Sequence, residues 1–235
     1  MSRTATFGRL GTALCLVLYA VLGVTFVTTA PVADPTSTTY LADVAAAGSA
    51  AVVSAYAFLG AQLALTIGVI GLAGTLRGRA PVLAYTAAAL LIVGAFAHAA
   101  HSGVSLAVIG MASAPPAAGA GATDAVAAAQ AGPLIGISLL GVAGLVFGTI
   151  LLAATMFRAR LGAWWIGVAL LLWVVAEFAL SGLGTWAVLT SGGLLLAAFG
   201  GLAALVLRSD LGLWMPAGKA GAAEPTPIAV PAPAG

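Results

Sequence analysis

The chain has 235 residues, of which 62% are hydrophobic and 6% charged, whereas a soluble domain carries about 25% charged residues. That composition excludes an ordinary water-soluble fold and points to a lipid bilayer. Eight Lys and Arg against six Asp and Glu leave a net charge of +2, too few basic groups to follow a nucleic-acid backbone. Cys15 is the single cysteine, so a disulfide framework and a cysteine metal cage are both excluded.

A helix crossing a hydrocarbon core of about 30 Å needs about 20 apolar residues, because each residue advances about 1.5 Å. That ruler finds six spans. In chain order they cover residues 10–30, 50–76, 81–107 and 132–157, then a fifth beginning after Arg160 and a sixth ending before Arg208. The hairpin between the last two falls at either 182–184 or 190–193, since both stretches carry turn-forming residues. A secretory signal is the competing reading of the N-terminus, but its apolar run exceeds the about 7 to 15 residues of such a segment. The stretches 111–130 and 216–235, rich in Ala, Gly and Pro, are expected to be loosely ordered.

Orientation follows from the basic residues, which are retained on the cytoplasmic side. Arg3 and Arg9 precede the first span, Arg77 and Arg79 join the second to the third, Arg158 and Arg160 join the fourth to the fifth, and Arg208 and Lys219 follow the sixth. All eight therefore fall on one side, which gives an all-α polytopic bundle of six transmembrane helices with both termini inside. Residues 1–9 form a cytoplasmic N-terminus, 10–208 the membrane domain, and 209–235 a Pro- and Ala-rich cytoplasmic tail. Trp164 and Trp165 mark the inner interface and Trp186 the outer one, while Trp173 falls mid-span. The pairs Gly132–Gly136 and Gly144–Gly148, with Gly60, Ala64 and Gly68, supply small faces on which helices can close-pack.

Few polar residues remain to carry chemistry. Glu177 is the one acidic residue within a span, where a charge costs about 2.5–3.5 kcal/mol. Counted from Leu161 it lies 16 residues in, and His98 lies 17 residues beyond Pro81; at about 1.5 Å per residue these are about 24 and 26 Å. The matched depths predict a polar layer beneath the outer surface, built from Gln62, His98, His101, Ser138 and Glu177. The spacing of three between the histidines sets both rings on one side of their helix. Two imidazoles and a carboxylate are a chemically sensible zinc or iron set, but the spacing is too common to assign a metal, and none is assigned. No cofactor is implied either: the chain has no membrane lysine for a Schiff base, and no GxGxxG, P-loop, HExxH or GxSxG pattern.

Arg9-Leu10-Gly11 before the first span, Tyr40-Leu41-Ala42-Asp43-Val44 before the second, Arg79-Ala80-Pro81-Val82-Leu83-Ala84 entering the third and Phe157-Arg158-Ala159-Arg160-Leu161 entering the fifth form a recognisable layout. It resembles a group of bacterial six-helix integral membrane proteins known only as a domain of unknown function. The resemblance implies six-span topology in the bacterial inner membrane and carries no established activity with it. The expected function is that of a non-enzymatic accessory or scaffold component whose partners are the lipid bilayer and other membrane proteins or a second copy. The alternative is a small-solute or proton-coupled transporter that uses Glu177 and His98.

Overall fold

The structure, a computed structural model, describes residues 3–31, 33–34, 37–113, 121–160, 163–180 and 183–214. The described residues are all-helical. In chain order they form α1 (Arg3–Thr29), α2 (Tyr40–Ala47), α3 (Ser49–Leu76), α4 (Pro81–Ala112), α5 (Ala122–Ala131), α6 (Pro133–Ala159), α7 (Trp164–Phe178) and α8 (Thr185–Leu207), followed by a 3-10 turn at Leu211–Trp214. Five of these helices, α1, α3, α4, α6 and α8, are long and apolar enough to cross a membrane. The segment expected as the fifth span, α7, is shorter at fifteen residues, about 22 Å at about 1.5 Å per residue.

Local chemistry sets the helix ends. Pro81 and Pro133 open α4 and α6, where the missing N–H of proline costs nothing. Arg160 ends α6 in the left-handed region at φ 49° and returns its N–H to the Phe157 carbonyl at 3.4 Å. Gly184, at φ 72°, turns the chain between α7 and α8, so the hairpin is the earlier of the two candidates and 190–193 lies inside α8. The stretch 111–130 departs from expectation: α4 runs on to Ala112, and α5 occupies Ala122–Ala131. Its alanines, read as low complexity, are the best helix formers. Residues 216–235 of the expected tail lie outside the described residues, while 211–214 form the 3-10 turn, with the Trp214 ring against Gly8.

The five long helices and α7 close into a ring. Each packs on its neighbours in the order α1, α3, α4, α6, α7, α8, and α8 returns to α1. Between helices in lipid, association relies on close backbone approach at small residues, and the seam between α4 and α6 is built that way. A Cβ placed on Gly94 would lie 2.7 Å from the Leu145 nitrogen, and one on Gly144 would lie 2.7 Å from the Gly94 Cα. Gly148 seats Leu91 in the same seam, whereas Gly136 has open space around it. On α3, Gly60 and Gly68 receive Leu22 and Leu16 of α1.

The half of the ring nearest the arginines is filled with apolar side chains. Leu72, Leu76, Met156, Ile166, Leu202 and Val206 are all buried there. The loops at that end are tied together: Arg79 Nη1 donates to the Ala159 carbonyl at 2.9 Å, and Arg9 Nη1 to the Ser209 carbonyl at 3.2 Å. Arg77, Arg158, Arg160 and Arg208 are exposed around them. At the opposite end, Val44 of α2, Ala51 of α3, Val108 of α4 and Val126 of α5 form a second, small core. The ring is thus solid at one end and capped at the other, and open space remains between.

Candidate functional site

That space is a cavity of about 200 Å³ to which all six ring helices contribute. Tyr19 and Phe26 come from α1, Phe58 and Gln62 from α3, His98 from α4, Leu145 from α6, Trp173 and Glu177 from α7, and Ser191 from α8. The level is set by helix length. Measured from the arginine end, Gln62 lies 14 residues from Leu76, His98 17 from Pro81, Glu177 13 from Trp164 and Ser191 16 from Leu207. At about 1.5 Å per residue the four fall within about 6 Å of one another along the axis.

Polar groups concentrate here. Ser191 Oγ donates a hydrogen bond to Glu177 Oε2. Gln62 and Trp173 are each 3% exposed, yet Gln62 Oε1 and Trp173 Nε1 have no protein hydrogen-bond partner, and neither has His98 Nδ1. A buried polar atom left unpaired costs about 1–3 kcal/mol. Three such atoms belong to residues that line one cavity, a polar investment that apolar side chains of the same shape would spare. Among the described residues no basic group is paired with Glu177, since every arginine sits at the filled end of the ring.

Of the five residues expected in the polar layer, Gln62, His98 and Glu177 line this cavity. His101 and Ser138 do not; they meet each other, with His101 Nδ1 and Ser138 Oγ 3.4 Å apart. A spacing of three turns a helix by about 300° at about 3.6 residues per turn, so the two rings diverge by about 60°. His98 thereby rests over Gly141 and beside the Phe58 ring, at a centroid distance of 5.3 Å, while His101 faces the start of α6. Among the described residues no three His, Cys, Asp or Glu side chains gather as a metal would require.

Two of the functional groups escaped the sequence reading although each left a signal. Trp173 was the one tryptophan away from an interface, and a mid-span indole N–H needs a partner. Ser191 lay in a stretch that also fitted a turn, which hid its place six residues into α8.

Phe26 and Phe58 stack with centroids 4.2 Å apart. Both line the central cavity and also an outer vestibule of about 100 Å³ that includes Tyr40, Ser54, Ser102 and Ser105. The pair is the wall the two spaces share. Burial beneath the cap pushes the Tyr40 hydroxyl above its ordinary pKa, keeping it neutral. Glu177 and Ser191 also border a cleft of about 250 Å³ between α1 and the α7–α8 hairpin. The carboxylate thus borders a lateral cleft as well as the central cavity.

Compared with known proteins, the chain matches no family model, no curated protein and no solved structure, so a functional reading rests on this geometry.

Proposed function

We propose that the chain is a six-span protein of the bacterial inner membrane that binds a small solute in its central cavity and carries it across the bilayer. The observation that carries this reading is the cavity itself: six helices converge on one space that gathers a carboxylate and three buried polar atoms without protein partners. A scaffold would be more stable with apolar side chains at those positions, because unsatisfied buried polar groups only weaken packing. The filled arginine end fits a carrier closed on that side, in which transport requires the apolar half to part.

The sixth crossing is α7 together with its flanks. Trp164 and Trp165 are exposed at its start and Trp186 at the beginning of α8, the positions favoured by rings at the headgroup level. Outward-facing Ile67 and Phe96, 55% and 79% exposed, suit contact with lipid. The four basic clusters would then share the cytoplasmic face. In a Cys15→Ala background, a cysteine at Gly78 should react with a membrane-impermeant maleimide only from the cytoplasmic side, and one at Asp124 only from the outer side. Reaction of both from one side would refute six crossings.

Transport itself is tested with the Glu177→Gln variant in proteoliposomes, scored for uptake of a panel of small amines, amino acids and sugars with and without a proton gradient. Glutamine preserves the shape and can still accept from Ser191, so the fold should persist. Uptake of the solute carried by wild type should fall about tenfold or more, the cost of one interaction worth about 1.4 kcal/mol or above. Equal uptake by variant and wild type would remove Glu177 from the mechanism, and no uptake of any solute by wild type would remove the carrier reading.

A further inference from the structure

We infer that the solute of the central cavity is a small organic cation of the ammonium type, held by Glu177 and an aromatic wall. This rests on the reading of the cavity as a solute site and adds the chemical class. Charge is the first argument. Glu177 brings a carboxylate into the membrane span, and among the described residues no Arg or Lys pairs with it; the nearest arginine along the chain, Arg160, lies 17 residues back, beyond the start of α7. A guest carrying the positive charge would supply the missing counter-ion, whereas an anion would meet like charge in a medium that strengthens repulsion.

Hydrogen-bonding character is the second argument. Gln62 Oε1 is an acceptor without a donor, and Glu177 has oxygen lone pairs beyond the one that receives Ser191. The spare lone pairs of Glu177 match a guest that donates or one whose charge is spread over C–H groups, and the unpaired Trp173 Nε1–H on the same wall suits a guest that also carries an acceptor such as a hydroxyl. The third argument is the wall. Tyr19, Phe26, Phe58, Trp173 and Phe178 all border the cavity. Aromatic faces carry negative potential and attract alkylammonium groups within about 6 Å of the ring centre, most strongly when desolvated. A bare metal cation would gain less from such a wall and would seek more oxygen ligands than one carboxylate, one amide and one hydroxyl provide. At about 200 Å³ the space also falls below the about 300–1,000 Å³ of sites for drug-sized ligands, which limits the guest to a few carbon atoms around the charge.

The test compares two molecules of the same shape and different charge. Choline and its neutral carbon analogue, 3,3-dimethyl-1-butanol, are titrated into the full chain in lipid nanodiscs at constant ionic strength, with sodium chloride as the inorganic control, and binding is followed by calorimetry and by thermal stabilisation. Choline should bind at least about tenfold more tightly than the alcohol, sodium should not substitute, and Glu177→Gln should abolish the preference. Equal binding of choline and the alcohol, displacement by sodium, or an unchanged preference in Glu177→Gln would each overturn the assignment. In parallel, Val24→Cys in a Cys15→Ala background is exposed to methyl methanethiosulfonate, a small neutral reagent. Labelling of Val24→Cys without choline binding would overturn the cation class and leave the solute site standing. Failure of both would overturn the two together, and labelling slowed by choline in an otherwise intact protein supports both.

Discussion

Replacing Gly94 with leucine is expected to pull α4 away from α6 and to unfold the ring at a temperature well below that of wild type. The reason is the identity of the atoms in the way. A Cβ at this position would meet the Leu145 nitrogen at 2.7 Å and the Gly141 carbonyl oxygen at 3.0 Å, and backbone atoms cannot step aside as the end of a side chain can. In lipid the helices gain little from hydrophobic burial, so lost contact along the seam is not regained elsewhere. Overpacking costs about 1–3 kcal/mol where side chains can adjust; here about 3 kcal/mol or more is expected, a fall of about 6–12 °C for a chain of this size. Thermal unfolding in detergent, monitored by size-exclusion chromatography, checks it. Gly136→Leu is the matched control, because Gly136 lies on the partner helix α6 and has nothing within 4 Å. It should match or exceed wild type, since removing glycine from a helix interior stabilises by about 0.5–1 kcal/mol. If Gly94→Leu and Gly136→Leu melt together, the seam does not hold the ring.

The contrast between these two glycines also shows what the sequence could disclose. Hydropathy and the arginine clusters located most ends of the long helices within two residues, because bilayer thickness fixes span length and charge fixes the loops. However, α1 begins seven residues before the expected span and takes in most of the expected N-terminal segment, and α4 ends five residues beyond its span. Depth was legible for the same reason: counting residues brought Gln62, His98 and Glu177 to one level before any contact was known. Facing was not. GxxxG spacing marked Gly132 and Gly136 as readily as Gly144 and Gly148, yet only the second pair meets α4 across the seam. His101 and His98 differ by one turn and about 60°, and that rotation sends one to Ser138 and the other to the cavity. Azimuth depends on which neighbour each helix chooses, and in an Ala- and Gly-rich chain nearly every face is small enough to pack. Helix α5 was missed for a different reason: Ala-rich segments satisfy the composition of disorder and the propensity of a helix at once.

Gln62→Leu should give a protein that is more stable and less active. The side chain is 3% exposed and its Oε1 has no protein partner, so an apolar side chain of similar size removes a penalty of about 1–3 kcal/mol. For a chain of this length that raises the melting temperature by about 2–4 °C per kcal/mol. Stabilisation alone does not distinguish a binding group from a packing fault, and Thr149 provides the comparison. Its Oγ1 is also buried without a partner, on α6, but Thr149 does not border the central cavity. Thr149→Val should therefore stabilise as well and leave solute uptake unchanged, while Gln62→Leu stabilises and lowers uptake about tenfold, the loss of about 1.4 kcal/mol of interaction with the guest. A protein that tolerates both substitutions with full uptake would show that the amide is an uncorrected defect. One in which only Gln62→Leu loses uptake would show that the orphaned acceptor is retained because a guest completes it, a trade of stability for function. Trp173→Phe extends the comparison to the donor on the opposite wall: it deletes an unpaired indole N–H and keeps an aromatic face, so its uptake should fall by less than that of Gln62→Leu, while the void left by the smaller ring in the core offsets the relieved penalty and denies it the rise in melting temperature.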